Sequence, residues 1–320
     1  MATIKGTSRA ERLSGTSGKD TIYGNGGADQ LNGKSGRDTL HGGSGNDTLF
    51  GDDGDDFVFG ENGQDNVWGG NGHDRLYGGD GHDWLRGGNG NDYLFGEAGN
   101  DTLEGGGQND RIWGGAGDDS LFGGGGDDLL NGGNDRDILY GGAGNDTLNG
   151  GGLDDVLVDG VGSNSLFGGG GDDTLSALAF AEDDVMPRLG TTTLDGGAGN
   201  DLLISGPGDA VMAGGPGADV FAVVSANAVH GPWTGGNVTI LDFEAGEDTL
   251  AWCYLEQSMD STVIGPLDVF DQGAIREVGG STVIGWDEGS LTIVQGVTGL
   301  TAEDFSWGGL DFASLTTAIW

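Results

Sequence analysis

Apolar residues recur along this chain at an interval of nine. From Gly15 to Ser176 one aliphatic residue stands at every ninth position, Ile22, Leu31, Leu40 and Leu49 onward, with a mostly polar or aromatic residue on each side. Such a triplet predicts a short strand whose middle residue points opposite to its neighbours. The six residues between triplets are rich in glycine, asparagine and aspartate, which predicts a sharp turn, because glycine reaches positive φ without a Cβ penalty.

The register is strict enough to define the organisation. Residues 15–176 divide into 18 consecutive nine-residue units without an insertion, and three more units follow at 196–222. A unit such as Gly42-Gly43-Ser44-Gly45-Asn46-Asp47-Thr48-Leu49-Phe50 reads GGxGxDxUx, with U apolar; 19 of the 21 units carry Asp at the sixth place and all 21 an apolar residue at the eighth. Two consecutive units make one coil, and stacked coils pack the eighth-place residues between two sheets. The expected fold is all-β, a right-handed parallel β-roll.

Residues 1–14 read as a degenerate opening repeat that caps the roll, with Glu11 and Leu13 at the sixth and eighth places of Gly6–Ser14. Residues 177–195, with Glu182-Asp183-Asp184 and Pro187, break the register and read as a loop. Residues 223–320 change character: the alternating runs 237–243, 281–286 and 290–294, separated by glycine-containing turns, predict an antiparallel β cap. Other departures are local. Gln108, Asp135 and Leu153 replace a fourth-place glycine, Asp159 a first-place glycine, and Asn164 and Ala210 a sixth-place aspartate.

Composition narrows the function. There are 73 glycines but 5 prolines and no three-residue glycine period, which excludes collagen. Against 52 Asp and Glu stand 12 Lys and Arg, a formal net charge of −40. That much self-repulsion opposes any compact state unless counter-ions bind, and it argues against nucleic acid as a partner. Cys253 is the only cysteine and reads as packing. No stretch is long and apolar enough for a membrane span, and Met1–Gly15 lacks the apolar core of a cleaved signal.

Several strings imitate other sites. Ala28-Asp29-Gln30-Leu31-Asn32-Gly33-Lys34-Ser35 resembles a phosphate loop, but it straddles two repeats and is followed by another turn instead of a helix. Asp52-Asp53-Gly54-Asp55-Asp56 lacks the closing Glu of an EF-hand. His41, His73, His82 and His230 show no zinc spacing and read as solvated surface. No catalytic motif is present, and the chain reads as a non-enzyme.

The nonapeptide resembles the RTX, or haemolysin-type calcium-binding, repeat family over residues 6–222. The resemblance implies calcium between unit n and unit n+2. It would be held by sixth-place carboxylates and by backbone carbonyls from places one and three of one turn and two and four of the next. The implied ligands are Asp20, Asp29, Asp38, Asp47, Asp56, Asp65, Asp74, Asp83, Asp92, Asp101, Asp110, Asp119, Asp128, Asp137, Asp146, Asp155, Asp173, Asp201 and Asp219, with Asp20 facing Asp38, Asp29 facing Asp47, and so on upward. That arrangement would take about 16 calcium ions in the main roll and bring the net charge to about −8. Leu241–Leu250 looks like the sequence that closes such rolls. Asp304–Trp320 resembles the signal read by type I secretion machinery. The implied protein is secreted, extracellular or at the cell surface, and acts as a non-catalytic adhesin, surface or matrix component. The alternative is a carbohydrate-binding accessory module of a polysaccharide enzyme.

One further surface needs no consensus. Seventh and ninth places point outward and recur with every second unit on each face, so Phe57 and Phe59, Arg75 and Tyr77, Tyr93 and Phe95, Arg111 and Trp113 fall on adjacent coils beside Tyr23. This strip reads either as an aromatic ladder that strengthens cross-strand packing or as an exposed contact surface, for self-association or, second, for a surface polysaccharide. Trp68, Trp84, Arg86 and Phe122 lie more sparsely on the opposite face.

Overall fold

The computed structural model describes residues 1–178, 190–206, 208–226, 237–244, 247–258, 261–265, 275–278, 281–285 and 291–294. They belong to two compact units, Met1–Gly152 and Leu153–Trp320, and among the described residues there are strands and turns but no helix.

In the first unit, alternate strands build two parallel sheets. Thr21–Gly26 pairs with Thr39–Ser44, which pairs with Phe57–Asn62, and Gln30–Ser35 pairs with Thr48–Asp53 and then Asn66–Asn71. Each step advances by two repeats, placing Ile22 beside Leu40 and Leu31 beside Leu49. The eighth-place residues from Ile22 to Leu148 are fully buried between the sheets. Before the first full unit, Arg12–Ser14 pairs with Gln30–Ser35, with Leu13 beside Leu31, and one strand earlier Thr3–Lys5 also joins, with Ile4 beside Ile22.

The strands are longer than the triplet pattern implies. Most run six residues, from the seventh place to the third place of the next unit, and alternate half-buried and buried as in Gln30–Ser35. The first-place glycine is therefore a second inward position, invisible to a hydrophobicity pattern because it has no side chain. Positive φ falls at second-place Gly43 (φ 111), near the end of its strand, and at fourth-place Gly45 (φ 124), in the turn that follows. Gln108 (φ 74) and Leu153 (φ 66) are forced into the same left-handed region at the fourth place.

The second unit repeats the plan. Val156–Val158, Thr174–Ser176, Leu202–Ile204, Val220–Ala226 and Thr249–Ser258 pair in parallel succession on one sheet. Ser165–Gly170, Thr191–Ala198, Asp209–Ala213 and Val238–Ile240 do so on the other. Part of the segment read as a loop thus belongs to the roll: the strand resumes at Thr191, with Leu194 fully buried beside Leu166. That step is longer than two repeats, yet the side chains that face inward stay in register, Leu166 with Leu194.

The run 237–243 corrects a second expectation. Val238–Ile240 pairs parallel with Asp209–Ala213, because the coil makes a further turn before the chain reverses. Antiparallel pairing begins later, between Thr249–Ser258 and Ser261–Gly265 and among Ile275–Val278, Ser281–Gly285 and Leu291–Val294. The side chain of Cys253, His230 and the Asp304–Trp320 segment lie outside the described residues.

Candidate metal centre

Stacking of every second repeat carries the sixth-place aspartates into two columns. In the first unit the backbone N–H of Asp20 donates to Oδ1 of Asp38 at 2.7 Å, Asp38 to Asp56 at 2.6 Å, and Asp56 to Asp74 at 2.8 Å. The other column runs from Glu11 through Asp29, Asp47, Asp65, Asp83 and Asp101 to Asp119 in the same way. In the second unit Asp155, Asp173, Asp201 and Asp219 continue the pattern among themselves, and the Asp173 to Asp201 bond of 2.8 Å joins residues 28 apart in sequence. Asp20 and Asp38, and Asp29 and Asp47, are therefore neighbours in space. The structure likewise places Asp92, Asp110, Asp128, Asp137 and Asp146 at buried sixth-place positions.

Each interior aspartate spends one oxygen on this bond and keeps the other inside. From Asp29 to Asp128, and at Asp173, Asp201 and Asp219, Oδ2 is buried without a hydrogen-bond partner. A buried carboxylate oxygen left that way costs several kcal/mol, on the order of the full desolvation of the group. The surrounding space is also marked out by a carbonyl. A Cβ placed on Gly42 would lie 2.5 Å from Asp47 Oδ2 and 2.7 Å from the carbonyl oxygen of Gly60, one turn up. Carboxylate and carbonyl oxygens converge there on a cradle open to a hard cation. No group of three or more His, Cys, Asp or Glu side chains gathers among the described residues. A cation in such a cradle would thus rely on main-chain oxygens for the rest of its shell.

The column ends behave differently and serve as an internal control. At Asp20, Oδ2 accepts from Thr16 N–H at 2.6 Å and from Thr16 Oγ1 at 2.7 Å. Glu11 Oε2 accepts from Thr7 N–H at 2.5 Å. Within the second unit Asp248, which the repeat count does not include, takes the N–H of Asp219 on Oδ1 at 3.0 Å and of Glu244 on Oδ2 at 2.7 Å. Its place two residues before the buried Leu250 is the available signal, obscured because Phe243 stands where the repeat has glycine. Among the described column aspartates, the interior rungs keep an oxygen for a metal that Asp20 and Asp248 do not.

Electrostatics follows the same division. Hydrogen bonds from Thr16 hold the Asp20 carboxyl below its usual value. Burial, reinforced by neighbouring carboxylates, pushes Asp74 and Asp110 up to about 8, and Asp56, Asp119 and Asp128 to about 7. Asp47, Asp65 and Asp83 rise to about 6. The other column of the second unit lacks the carboxylates: Asn164, Thr192 and Ala210 occupy those places and are buried.

Position in the column predicts unequal damage. Asp83→Ala removes the acceptor of Asp65 N–H and a ligand oxygen from the middle of the array. The stranded N–H alone costs about 1–3 kcal/mol. Asp20→Ala, at a self-satisfied end, is expected to shift the calcium midpoint of folding less. Equal midpoints for the two variants in a calcium titration followed by circular dichroism would contradict this ranking.

The outward strip is present but not as a bare surface. Tyr23, His41, Phe59, Tyr77, Phe95 and Trp113 form one stack with successive centroids 4.8–4.9 Å apart, the spacing of strands in a sheet. Beside it Arg75 lies between the rings of Phe57 (5.3 Å) and Tyr93 (5.0 Å), and Arg111 sits 5.5 Å from the Tyr93 ring. All these rings are half-buried, so the expected exposed aromatic faces are covered by one another and solvent meets their edges. His41 belongs to this stack and contacts Glu61 at 2.9 Å, a correction to its reading as solvated surface. His73 and His82 are exposed and accept the N–H groups of Asn91 and Asn100. Lys34, of the phosphate-loop-like string, lies in the strand Gln30–Ser35 and reaches the carbonyl of Gly15 at 2.9 Å.

No curated protein matches the sequence. Among solved structures, the chain is similar to a hyperactive, Ca2+-dependent, β-helical antifreeze protein from an Antarctic bacterium, with 21% identity, coverage of 77% of this chain and 85% of that one, and a TM-score of 0.39. The family model for the RTX calcium-binding nonapeptide repeat matches residues 5–180, in overlapping or adjoining blocks, and residues 189–221. With the repeat matched over that span and its aspartates stacked into buried oxygen columns, the chain belongs to the RTX calcium-binding nonapeptide repeat family.

Proposed function

We propose that this protein is exported, folds on meeting external calcium, and acts as a non-catalytic component of a cell surface or matrix. The carrying observation is the column of buried Oδ2 atoms without partners. Sixth-place carboxylates and first-place carbonyls would hold the ions, about 16 in residues 15–176 if every gap is filled. In calcium-poor cytosol the same carboxylates repel one another and keep the chain extended enough to thread through type I secretion machinery. No helix among the described residues is long and apolar enough to cross a membrane. Protease digestion of intact producing cells tests the reading: the protein should be cleaved when external calcium is chelated and resist when calcium is restored. Protection in both conditions would place it inside the cell and sink the proposal.

A glycan-binding role has a narrower opening. On the sheet opposite the aromatic stack, Trp84 is 39% exposed and stands edge-on to Trp68 at 5.5 Å. Nearby, Trp68, Arg86 and Asn89 line a shallow depression floored by glycines. Exposed aromatic surface suits a sugar ring, whereas the covered stack does not. Changing Tyr77, Phe95 and Trp113 together to Thr is therefore expected to raise the calcium midpoint and lower thermal stability. The change removes the ring contacts with Phe59 and Tyr93 and those among the three, each worth about 0.5–1.5 kcal/mol. Unchanged stability with loss of an oligomer in sedimentation would instead make the strip a contact surface.

A further inference from the structure

The two places where the repeat loses its aspartate share a second change. Among the 21 units, every unit with Asp at the sixth place has Gly at the first, and the two without it, at Asn164 and Ala210, carry Asp159 and Ser205 there. Backbone conformation does not account for the glycine. None of the first-place glycines is at positive φ, unlike those at the second and fourth places. Space accounts for it. A Cβ on Gly78 would lie 2.5 Å from Asp83 Oδ2 and 2.8 Å from Gly96 O, and one on Gly33 2.6 Å from Asp38 Oδ2 and 2.9 Å from Gly51 O. Real Cβ contacts are essentially never shorter than 3.0 Å. A first-place side chain and a sixth-place side chain in the consensus pose thus cannot share one cradle, so where both places carry one, as at Asp159 and Asn164, one of them must leave it.

Asp159 and Ser205 keep the first-place backbone geometry. Asp159 N–H donates to Ser176 O and Ser205 N–H to Ala222 O, both at 2.9 Å, as Gly15 N–H donates to Asn32 O at 2.8 Å. Asp159 is 2% exposed and Ser205 fully buried. Their side chains consequently start from the point where the cradle lies. We propose that Asp159 is a calcium ligand moved from the sixth place to the first, supplying the carboxylate that Asn164 lacks, while Ser205 fills the matching space beside Ala210 without charge. The chain therefore keeps a metal-binding rung in a unit whose consensus residue is gone, and replaces one with a neutral rung in the other. This assignment rests on the calcium-binding reading of the family.

Calcium stoichiometry from titration calorimetry, with the folding midpoint from circular dichroism, tests it on the full chain. Asp159→Asn preserves shape and removes the charge, and it is expected to bind one ion fewer than the parent and fold at higher calcium. Asn164→Asp alone is expected to gain nothing, since Asp159 already occupies the space. The pair Asp159→Gly with Asn164→Asp rebuilds the repeat and is expected to recover the parental stoichiometry and midpoint. If Asp159→Asn fails to fold, the pair still decides. Parental stoichiometry in Asp159→Asn, or an added ion in Asn164→Asp alone, would overturn the relocation. A parent chain that takes up no calcium would instead overturn the calcium reading, and this assignment with it.

Discussion

In chelator at neutral pH the chain is expected to give the far-ultraviolet circular dichroism of a coil, and in millimolar calcium that of a β protein, with a cooperative change between them. The reason lies in the columns. Successive buried carboxylates stand one strand spacing apart, and two ionised neighbours at about 5 Å repel by ~3 kcal/mol at an effective dielectric constant near 20. That penalty recurs at each step from Asp29 upward. A core one aliphatic residue wide, such as Leu85 and Leu94 on facing strands, has little to set against it. Divalent cations remove the repulsion and satisfy the Oδ2 atoms in one event, so binding and folding are coupled. Magnesium is expected to substitute poorly, because it holds its waters and demands octahedral geometry. A full β spectrum in chelator at neutral pH would refute the coupling.

Acid is expected to replace calcium in part. The interior carboxyls are pushed up by burial, to about 8 for Asp74 and about 6 for Asp83, above the ordinary carboxyl value of 3.8. For a group raised in this way the protonated form favours the fold. The metal-free roll is therefore most stable below about pH 4 and loses stability as pH rises through 6 to 8, where the folded carboxyls ionise. Asp20, lowered by Thr16, has the opposite sign and contributes above its unfolded value, but it is a single end group. In chelator, the β signal should thus be stronger near pH 5 than at pH 8, while the calcium midpoint at pH 5 should be higher because ligands must shed protons. A metal-free spectrum that becomes more folded as pH rises would reverse the sign and refute the argument.

Some of the machinery escapes the sequence pattern for identifiable reasons. His41 reads as a surface histidine because polarity is judged residue by residue. Its place between Tyr23 and Phe59, 4.8 and 4.9 Å away, arises only when coils stack. Asp248 is hidden by Phe243, and Thr191–Asp195 by the irregular residues before them. The pattern locates the strip from Phe57 to Trp113 but overstates its exposure, since each ring is covered by the ring one turn away.

What the sequence determined by itself is the coil. A period of nine, glycines able to reach positive φ at the second and fourth places, and one inward apolar residue per unit suffice for a parallel roll with aspartates stacked at every second unit, because these are local rules repeated. What only the tertiary structure decided is how neighbouring turns share space. The partnerless Oδ2 atoms, and the approach of the Gly51 carbonyl oxygen to the cradle beside Gly33, depend on distances between turns. Atoms two units apart along the chain meet there within a few ångströms, and no nine-residue window contains them both.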